Sequence, residues 1–410
     1  MMIGKHYRTG RLVRLDAENG HIAAIVGLDG GDPPDEDRPP IVQDSDRNGF
    51  GRQERRFDPK GRGAILAPGL VDLQINGFRG IDFNAPHITE TAVAEMTKAL
   101  WKEGVTSYFP TVITNDDERI EAAVRAIGRA CARDELVNLS IPGIHLEGPF
   151  ISPHDGPRGA HPKACVKAPD WSLVERWQQA AMGKIRLIPL SPEWPGSAEF
   201  IRQCRAHGIA VSIGHTAATP EEIREAVAAG AMLSTHLGNG AHPMMPRHPN
   251  YIWEQLADER LWCCLIADGF HLPDSVIKVF MKAKGERAVL VSDAVHVCGM
   301  PAGTYRTHIG GTVVLTPEGR LHMADRPDLL AGSAQLLPWS IGRLARERLC
   351  GFAEAWEMAS TRPAEALGLP AAWGLSAGAP ADAVLLDIDD VGQIRILRTM
   401  KSGKIVYSAG

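Results

Sequence analysis

The sequence predicts an α/β protein: a TIM-like (β/α)8 barrel with a small discontinuous β-sandwich domain built from both termini. Three observations lead to this prediction. Eight short apolar runs alternate with amphipathic helical stretches between positions 64 and 293. No Gly-rich dinucleotide-binding fingerprint follows the first run, which argues against an open doubly wound sheet. Both ends of the chain alternate apolar and polar residues, as half-buried strands do.

The composition is that of an ordinary globular protein. The chain has 410 residues, a hydrophobic content of 44% and a net charge of -5, and its pI is near 6.3. No global positive field favours nucleic acid or an anionic membrane surface as a partner. The sequence has no apolar run of roughly 20 residues and no signal-peptide core, so we expect no membrane span and no export. Seven cysteines without a CxxC pair predict a reducing, cytoplasmic location.

The chain begins with a predicted β-hairpin. Residues 11–28 alternate apolar and polar positions around an Asn19-Gly20 pair, the usual sequence of a two-residue hairpin turn. Residues 29–63 are rich in Asp, Arg, Gly and Pro and poor in aliphatic side chains. Because such a segment contributes little to a core, we expect a mobile surface insertion, to which no function is assigned.

The predicted barrel strands are the eight apolar runs. They lie at 64–75, 105–113, 139–146, 185–190, 209–214, 231–236, 261–268 and 288–293. Amphipathic stretches between them predict helices. The clearest helix begins with the capping box Thr219-Pro220-Glu221-Glu222 and ends at Gly230.

The rest of the chain predicts short strands at 304–315 and 319–323, followed by helices at 333–349 and 353–359. From Ala379 the sequence alternates again, and these strands pair most simply with the N-terminal hairpin. The small β domain is predicted in two parts, at 1–63 and 375–410. The catalytic barrel is predicted between them, at 64–374.

Polar residues follow four of the predicted strands, at the end where a parallel barrel has its active site. They are Glu147 after the third run, His215 after the fifth, His236 after the sixth and Asp293 after the eighth. Singly, a Glu before Gly-Pro is more often a turn residue, and a His at a strand end is more often structural. Together, one Glu and two His form a normal ligand set for zinc or a similar ion. Asp293, after the eighth run, can take a proton from a water that such an ion binds and return it later in the reaction.

The first strand carries amides where many metal-dependent barrel hydrolases have His-x-His. Here these residues are Gln74, Ile75 and Asn76. Amides bind divalent ions poorly, so we expect a single metal ion. By the two-residue period of a strand, His145 points to the same side as Glu147, and we expect it to support that ligand.

Several loop residues are candidates for ligand binding at the barrel mouth. The Gly-rich turn after His236 offers backbone N–H groups to an anion. Arg247 suits a phosphate, although a solvated loop arginine is the simpler interpretation of the residue alone. For His161 and His271, ligand-binding and structural roles have equal weight. The turn at 330–333 is explained equally well as a pocket wall or as a helix start.

A series of motifs resembles the N-acetylglucosamine-6-phosphate deacetylases of the amidohydrolase superfamily. The motifs are APGLVDLQINGF, HLEGPF, GHTAAT, THLGN, IADGFH, VSDA and LAGSA, and they cover nearly the whole chain from Ala67. The resemblance implies a metal-dependent amide hydrolase that removes acetate from a small molecule, N-acetylglucosamine-6-phosphate. It also implies a homodimer, because the family's arginine reaches the sugar phosphate from a neighbouring subunit.

The same resemblance implies a role for each site residue. One divalent ion, zinc with iron, manganese or cobalt as alternatives, would bind Glu147, His215 and His236. Asp293 would be the general base and acid. The residues expected to contact the substrate are Ala160, His161, Asn239, Gly240, Arg247, His271, Leu330, Ala331 and Gly332.

The chain departs from the family at the sugar and phosphate end. It has THLGNGAHPMM where the family usually has THLYNAM, a bulkier segment after Arg247, and Ala331 where Ser is common. The reaction type is therefore better supported than the substrate. A sister hydrolase for a different N-acyl amino sugar or acyl amide stays open. A non-catalytic sugar-phosphate sensor is the more distant alternative.

Overall fold

The computed structural model describes residues 1–29, 63–307 and 311–410. Except for its two end residues, the predicted insertion at 29–63 lies outside these ranges. The chain forms two compact units. One contains Met1–Val71, Trp101–Thr106 and Ile341–Gly410, and the other contains Asp72–Leu100 and Ser107–Ser340. The domain boundaries predicted above stay a prediction.

Eight strands form one sheet in which neighbours along the chain are neighbours in space. They are Leu70–Ile75, Val105–Ile113, Ile144–Glu147, Ile185–Leu190, Ala210–Ile213, Leu233–Ser234, Trp262–Leu265 and Ala288–Leu290. From the second strand onward each is parallel to the next. A parallel bridge between Ile75 and Ala294 brings the first strand to the end of the last. The predicted (β/α)8 barrel is confirmed.

The first predicted run divides into two strands. Of residues 64–75, Ile65–Pro68 joins another sheet and Leu70–Ile75 begins the barrel. The break is at Gly69, where a Cβ atom would lie 2.1 Å from Thr106 Oγ1. Because Thr106 lies so close to the backbone of residue 69, only a glycine fits where the chain passes from one sheet to the other.

The prediction for 139–146 is wrong at its start. Leu139 and Ser140 end the helix Glu135–Ser140, whose N-cap Asp134 accepts a hydrogen bond from Val137 N. The strand that follows is Ile144–Glu147. Helix capping therefore determines the structure of residues whose apolar character alone suggested a strand.

The helices fill the intervals between strands and follow the last one. The α-helices are Glu90–Trp101, Asp117–Arg133, Glu135–Ser140, Trp171–Ala180, Ser197–Ala206, Pro220–Ala229, Tyr251–Ala257, Asp274–Lys284, Leu337–Arg346, Phe352–Met358 and Thr361–Ala366. Short 3-10 turns occupy Lys163–Cys165, Gly285–Arg287 and Pro370–Trp373. The predicted capping box of Thr219 and Glu222 is confirmed in both directions, and the C-cap is Gly230.

A seven-stranded sheet combines both ends of the chain, as predicted. Its order is Lys404–Ser408, Ile394–Lys401, Ala383–Ile388, Ile65–Pro68, Met2–His6, Leu12–Glu18 and His21–Gly27. The last two strands are the predicted hairpin, with φ angles of 50° at Asn19 and 82° at Gly20, as a primed two-residue turn requires. A bridge between His21 and Pro380 joins the C-terminal segment to the hairpin.

The short strands predicted after the eighth run are confirmed. Gly303–Arg306, Thr312–Leu315 and Leu321–Met323 form an antiparallel sheet. A two-stranded pair, Gly77–Phe78 with Ile81–Asp82, follows the first barrel strand. Within the described ranges, no helix combines the length and apolar character needed to cross a membrane.

Candidate active site

Three side chains meet at the carboxyl ends of the barrel strands. Glu147 ends its strand, and His215 and His236 each lie two residues beyond theirs. All three are buried. Glu147 Oε1 lies 3.1 Å from His236 Nε2 and 3.4 Å from His215 Nε2, and the two Nε2 atoms are 3.1 Å apart. Three atoms that can coordinate a metal, one from the end of each of three strands, thus lie close together.

These distances fit a metal ion with three protein ligands. Ligands of a tetrahedral zinc ion lie about 2.0–2.1 Å from the metal and therefore about 3.3–3.4 Å from one another. His215 Nδ1 is 2.8 Å from the carbonyl oxygen of Pro157. Since a carbonyl accepts, Nδ1 donates, and the lone pair of the neutral ring is on Nε2. Within the described ranges, this is the group of His, Cys, Asp and Glu side chains arranged to hold a metal.

The electrostatics of the cluster favour a positive charge between its members. Burial opposes ionisation of Glu147, but hydrogen bonds from His215 and His236 hold its pKa well below the ordinary value. Burial also opposes a charged His236, and Glu147 nevertheless raises the pKa of that imidazole. A divalent cation supplies the same positive charge without a proton.

The backbone of the site is held in an uncommon conformation. His215, His236 and Asp293 have φ angles of 50°, 25° and 47°, in the left-handed region that residues other than glycine rarely adopt. Each such residue costs on the order of 1–3 kcal/mol and persists where its surroundings hold it there. Because all three follow barrel strands, the strain belongs to the site as a whole.

Two glycines let the backbone pass close to the ligands. A Cβ on Gly148, directly after Glu147, would lie 1.9 Å from Thr114 Oγ1, and a Cβ on Gly240 would lie 2.6 Å from His215 Nδ1. Gly148 therefore allows the turn after the first ligand. Gly240 packs the predicted substrate loop against the His215 ring.

Asp293 is held by the two amides of the first strand. Its Oδ1 accepts hydrogen bonds from Asn76 Nδ2 at 2.8 Å and from Gln74 Nε2 at 3.1 Å. Gln74 Nε2 also donates to Glu147 Oε1 at 2.8 Å. Burial, followed by the charge of Glu147, raises the pKa of Asp293 to about 6. A carboxyl with this pKa can both take and return a proton near neutral pH.

Two further imidazoles, His161 and His145, lie near the cluster. The His161 ring centre is 4.5 Å from that of His215, and burial, followed by His215, lowers the pKa of His161 to about 3. Its Nδ1 is 2.8 Å from Thr114 Oγ1. His145 Nδ1 donates to Leu73 O at 2.9 Å, and burial lowers its pKa to about 4. Both rings are therefore neutral.

His271 forms a pair with Asp268 beyond the seventh strand. His271 Nδ1 lies 2.7 Å from Asp268 Oδ2, while Asp268 Oδ1 accepts from the backbone N–H groups of Phe270 at 2.8 Å and His271 at 3.0 Å. The carboxylate thus sets the orientation of the imidazole. His271 acts to lower the pKa of Asp293, so the pair lies near enough to Asp293 to influence it.

Two further predicted substrate segments lie beside the site. Asn239 donates to His236 O from its backbone N at 3.0 Å and from Nδ2 at 3.2 Å. The segment Leu330–Gly332 leads into Ser333, which bridges to Ala294. The backbone therefore places these segments next to a proposed ligand and next to the end of the eighth strand.

Ala160 and Arg247 lie at the surface. In the part of the chain that the structure describes, the Arg247 guanidinium has no ion-pair partner, and its position gives no direct contact with the buried cluster. The predicted role of Arg247 toward a phosphate stays a prediction, as does the predicted contact of Ala160.

Three residues that hold the site together were not predicted from the sequence. Thr114 follows the second barrel strand and contacts His161, Asp268 follows the seventh and orients His271, and the Pro157 carbonyl orients His215. Thr114 and Asp268 stand at strand ends, so the rule that found Glu147 was able to find them too. A backbone carbonyl leaves no signal in the residue types.

Comparison with known proteins gives the family. The amidohydrolase family model matches residues 65–406. The chain belongs to the amidohydrolase family. The amidohydrolase relatives include the N-acetylglucosamine-6-phosphate deacetylase of Homo sapiens, 32% identical over 368 residues that cover 87% of this chain and 88% of the relative. They also include an N-acetylgalactosamine-6-phosphate deacetylase of Escherichia coli, 31% identical over 312 residues that cover 74% and 78%.

Solved structures agree with the sequence relatives. The crystal structure of N-acetyl-D-glucosamine-6-phosphate deacetylase from Mycobacterium smegmatis matches with a TM-score of 0.79 and 28% identity, covering 98% of each chain. The resemblance to this group of amidohydrolases, predicted from the motifs, is confirmed. Amidohydrolases depend on metal, and the Glu147, His215 and His236 cluster fits that requirement.

Proposed function

We propose that this amidohydrolase removes the N-acetyl group of N-acetylglucosamine-6-phosphate, giving glucosamine-6-phosphate and acetate. The observation that carries the proposal is the buried cluster of Glu147, His215 and His236 with Asp293 held beside it by amides. The N-acetyl amino-sugar phosphate deacetylases among its relatives supply the substrate class. In the reaction, water forms a new C–O bond, the amide C–N bond breaks, and the amine leaves with a proton.

Glu147, His215 and His236 are the proposed ligands of one divalent ion, with zinc as the first choice and iron, manganese and cobalt as alternatives. When bound, the ion supplies Lewis acidity, which polarises an amide carbonyl and lowers the pKa of water. Gln74 and Asn76 direct N–H donors at the neighbouring carboxylates. These positions offer amides where a second ion would need imidazole nitrogens, and amide oxygens bind divalent ions poorly, so the two residues support a single ion.

Asp293 is the proposed general base and general acid. Its Oδ1 is held by Asn76 and Gln74, while no donor among the described residues reaches Oδ2. Oδ2 is therefore the oxygen that takes a proton from the attacking water and then gives it to the leaving nitrogen. The two amides keep the carboxylate plane in place during both transfers.

His161 is proposed to stabilise the negative charge that develops on the carbonyl oxygen. The Thr114 hydroxyl faces two acceptors, His161 Nδ1 at 2.8 Å and Glu147 O at 3.3 Å. In the proposed arrangement it donates to the closer one, His161 Nδ1, which leaves the proton of the neutral ring on Nε2. An Nε2–H group at the edge of the cluster is then a donor for the oxyanion. The other proposed substrate contacts are Ala160, Asn239, Gly240, Arg247, His271, Leu330, Ala331 and Gly332.

A homodimer is part of the proposal, with Arg247 reaching the phosphate in the site of the partner subunit. The segment around Arg247 exposes two large apolar side chains, Met244 at 87% and Trp253 at 49%, which suits burial against a second copy. A cytoplasmic location is proposed as well. All seven cysteines lie in described parts of the chain and are free thiols, as in a reducing compartment.

The test is acetate release from a panel of substrates by protein of known metal content. N-acetylglucosamine-6-phosphate should give the highest kcat/KM, and unphosphorylated N-acetylglucosamine a value lower by about 10²-fold or more, because a charge-assisted phosphate contact is lost. Equal rates on both sugars would contradict the phosphate assignment. No acetate release from any member of the panel would contradict the deacetylase function.

A second candidate is deacetylation of a different N-acyl amino sugar. Two observations favour keeping it: the altered loop THLGNGAHPMM and the N-acetylgalactosamine-6-phosphate deacetylase among the relatives. Adding N-acetylgalactosamine-6-phosphate to the same panel separates the candidates. A higher kcat/KM for this epimer would replace the first proposal with the second.

A further inference from the structure

Glu193 lies beside the turn that follows the proposed ligand His215. It comes shortly after the fourth barrel strand, Ile185–Leu190. Glu193 Oε2 accepts from Ser191 Oγ at 2.6 Å, from Ala217 N at 2.6 Å and from Thr216 Oγ1 at 3.2 Å. One carboxylate oxygen therefore joins the end of the fourth strand to the two residues directly after His215.

His215 needs such support because its backbone is strained. Its φ angle is 50°, a conformation that persists where the surroundings hold it. Two other contacts act on His215 itself: Ser152 N donates to its carbonyl at 2.8 Å, and its Nδ1 donates to Pro157 O at 2.8 Å. Neither contact holds the residues that follow it. Glu193 adds the contacts to Thr216 and Ala217, the two residues that follow His215.

The choice of oxygen makes the role of Glu193 testable. All three donors go to Oε2, while Oε1 is buried and has no hydrogen-bond partner in the described ranges. A glutamine with its carbonyl oxygen at the Oε2 position would keep every one of the three bonds. An alanine would lose all three. The pair of substitutions thus separates the hydrogen bonds from the negative charge.

We propose that Glu193 is a positioning residue for metal binding: it holds the 215–217 turn so that His215 Nε2 stays within reach of Glu147 and His236. This inference rests on the proposed role of His215 as a ligand. Partners of metal ligands of this kind typically change metal affinity by about 10- to 100-fold when they are removed.

The experiment is a titration of metal-stripped protein with Zn²⁺ against a competing chelator, together with the visible absorption spectrum of the Co²⁺ form. Glu193→Ala should raise the Kd for Zn²⁺ by about 10- to 100-fold and change the Co²⁺ spectrum, because the His215 nitrogen is displaced. Glu193→Gln should bind Zn²⁺ within about threefold of the parent, because it keeps the three hydrogen bonds. Glu199→Ala, an exposed residue paired with Arg202, is the matched control and should behave as the parent.

A purely structural role would lower the melting temperature without changing Kd or the Co²⁺ spectrum of the folded protein. That result for Glu193→Ala would overturn the proposal, and so would a Glu193→Gln protein as impaired as the alanine variant. If Glu193→Ala does not fold, the double variant Ser191→Ala with Thr216→Val removes the two hydroxyl donors, together with the bond from Ala218 N to Thr216 Oγ1, and leaves Ala217 N. Its Kd should rise by about threefold to tenfold, and an unchanged value would overturn the proposal. These readouts report metal binding, so their failure is distinct from a failure to deacetylate.

Discussion

The buried cluster of Glu147, His215 and His236 and the partly exposed loop 238–249 are proposed as two parts of one site, and they are built differently. In the cluster, each of Glu147, His215 and His236 stands at or just beyond the end of a barrel strand, is buried and makes a directed hydrogen bond. In the loop, Arg247 and most of its neighbours are exposed. The loop touches the cluster closely at Gly240, which packs on the His215 ring.

This difference suggests that the two parts have different roles: the cluster for the type of reaction and the loop for the choice of substrate. The strand ends hold the proposed metal ligands and the proposed proton carrier, and their geometry depends on the barrel, so the proposed chemistry depends on rigid elements. The loop after His236 departs from the usual family sequence, with GNGAHPMM here, and its exposed part from Pro246 to Pro249 lies outside the cluster. Variants in the cluster should therefore abolish turnover, and variants in the loop should change which substrate is bound.

The largest effect is expected for Asp293→Asn. The amide keeps the shape of the carboxyl but cannot take a proton, so kcat should fall by about 10²- to 10⁴-fold, with the metal content unchanged. Metal analysis and single-turnover acetate release measure the two quantities. Asp390→Asn, an exposed site, is the control. Turnover near the parent rate in Asp293→Asn would remove Asp293 from the mechanism.

A smaller effect, confined to binding, is expected for Arg247→Ala. KM for the phosphorylated substrate should rise by about 10- to 100-fold with kcat little changed, because binding energy common to ground and transition states is lost. Unphosphorylated substrate should be unaffected. Arg202→Ala, another exposed arginine, is the control. An equal effect on both substrates would contradict a phosphate role.

Mixing two defective variants tests whether Arg247 acts across the dimer. A hybrid of Arg247→Ala and Asp293→Asn subunits contains one site with both residues intact if the arginine comes from the partner subunit. Activity at low substrate concentration should then exceed the sum of the separate variants after subunit exchange. If Arg247 serves its own subunit, mixing restores nothing.

The smallest expected effect is a shift of the pH profile in Asn76→Ala. Asp293 must be ionised to accept a proton, so kcat/KM falls as the pH drops below its pKa. Burial raises that pKa to about 6, and the hydrogen bond from Asn76 lowers it. Removing the bond should move the acidic limb to higher pH by about half a unit to one unit. Asn138→Ala, at an exposed position, should not shift it. A limb that stays in place or moves to lower pH would contradict this electrostatic account.

Much of the fold was predictable because it depends on local patterns. The runs at 105–113 and 185–190 match observed strands residue for residue, since apolar β-branched runs bounded by turns are typical of barrel strands. One failure came from a local signal, the Asp134 cap of the helix that ends at Ser140, and another from a contact distant in sequence. Gly69 ends one strand because Thr106 leaves no room for a side chain, and this neighbour is 37 residues away in the chain numbering.

The sequence predicted which residue types stand at the strand ends of the candidate site. It did not predict most of the contacts between them. Glu147, His215, His236 and Asp293 were found because parallel strands bring their carboxyl ends together. The sequence did not show that Gln74 donates to both Glu147 and Asp293, or that Glu193 holds the turn after His215. Such contacts depend on side-chain directions at the barrel mouth, which residue spacing does not contain.

The central claim is that one divalent ion, held by Glu147, His215 and His236, makes this chain a hydrolase. It is tested most directly by stripping the protein with a chelator and measuring acetate release while metal is added back in known amounts. Activity should rise linearly and reach its plateau at one equivalent of metal per chain, and His236→Ala should neither retain the ion nor recover. Full activity in the stripped protein, or a plateau that requires two equivalents, would contradict the account.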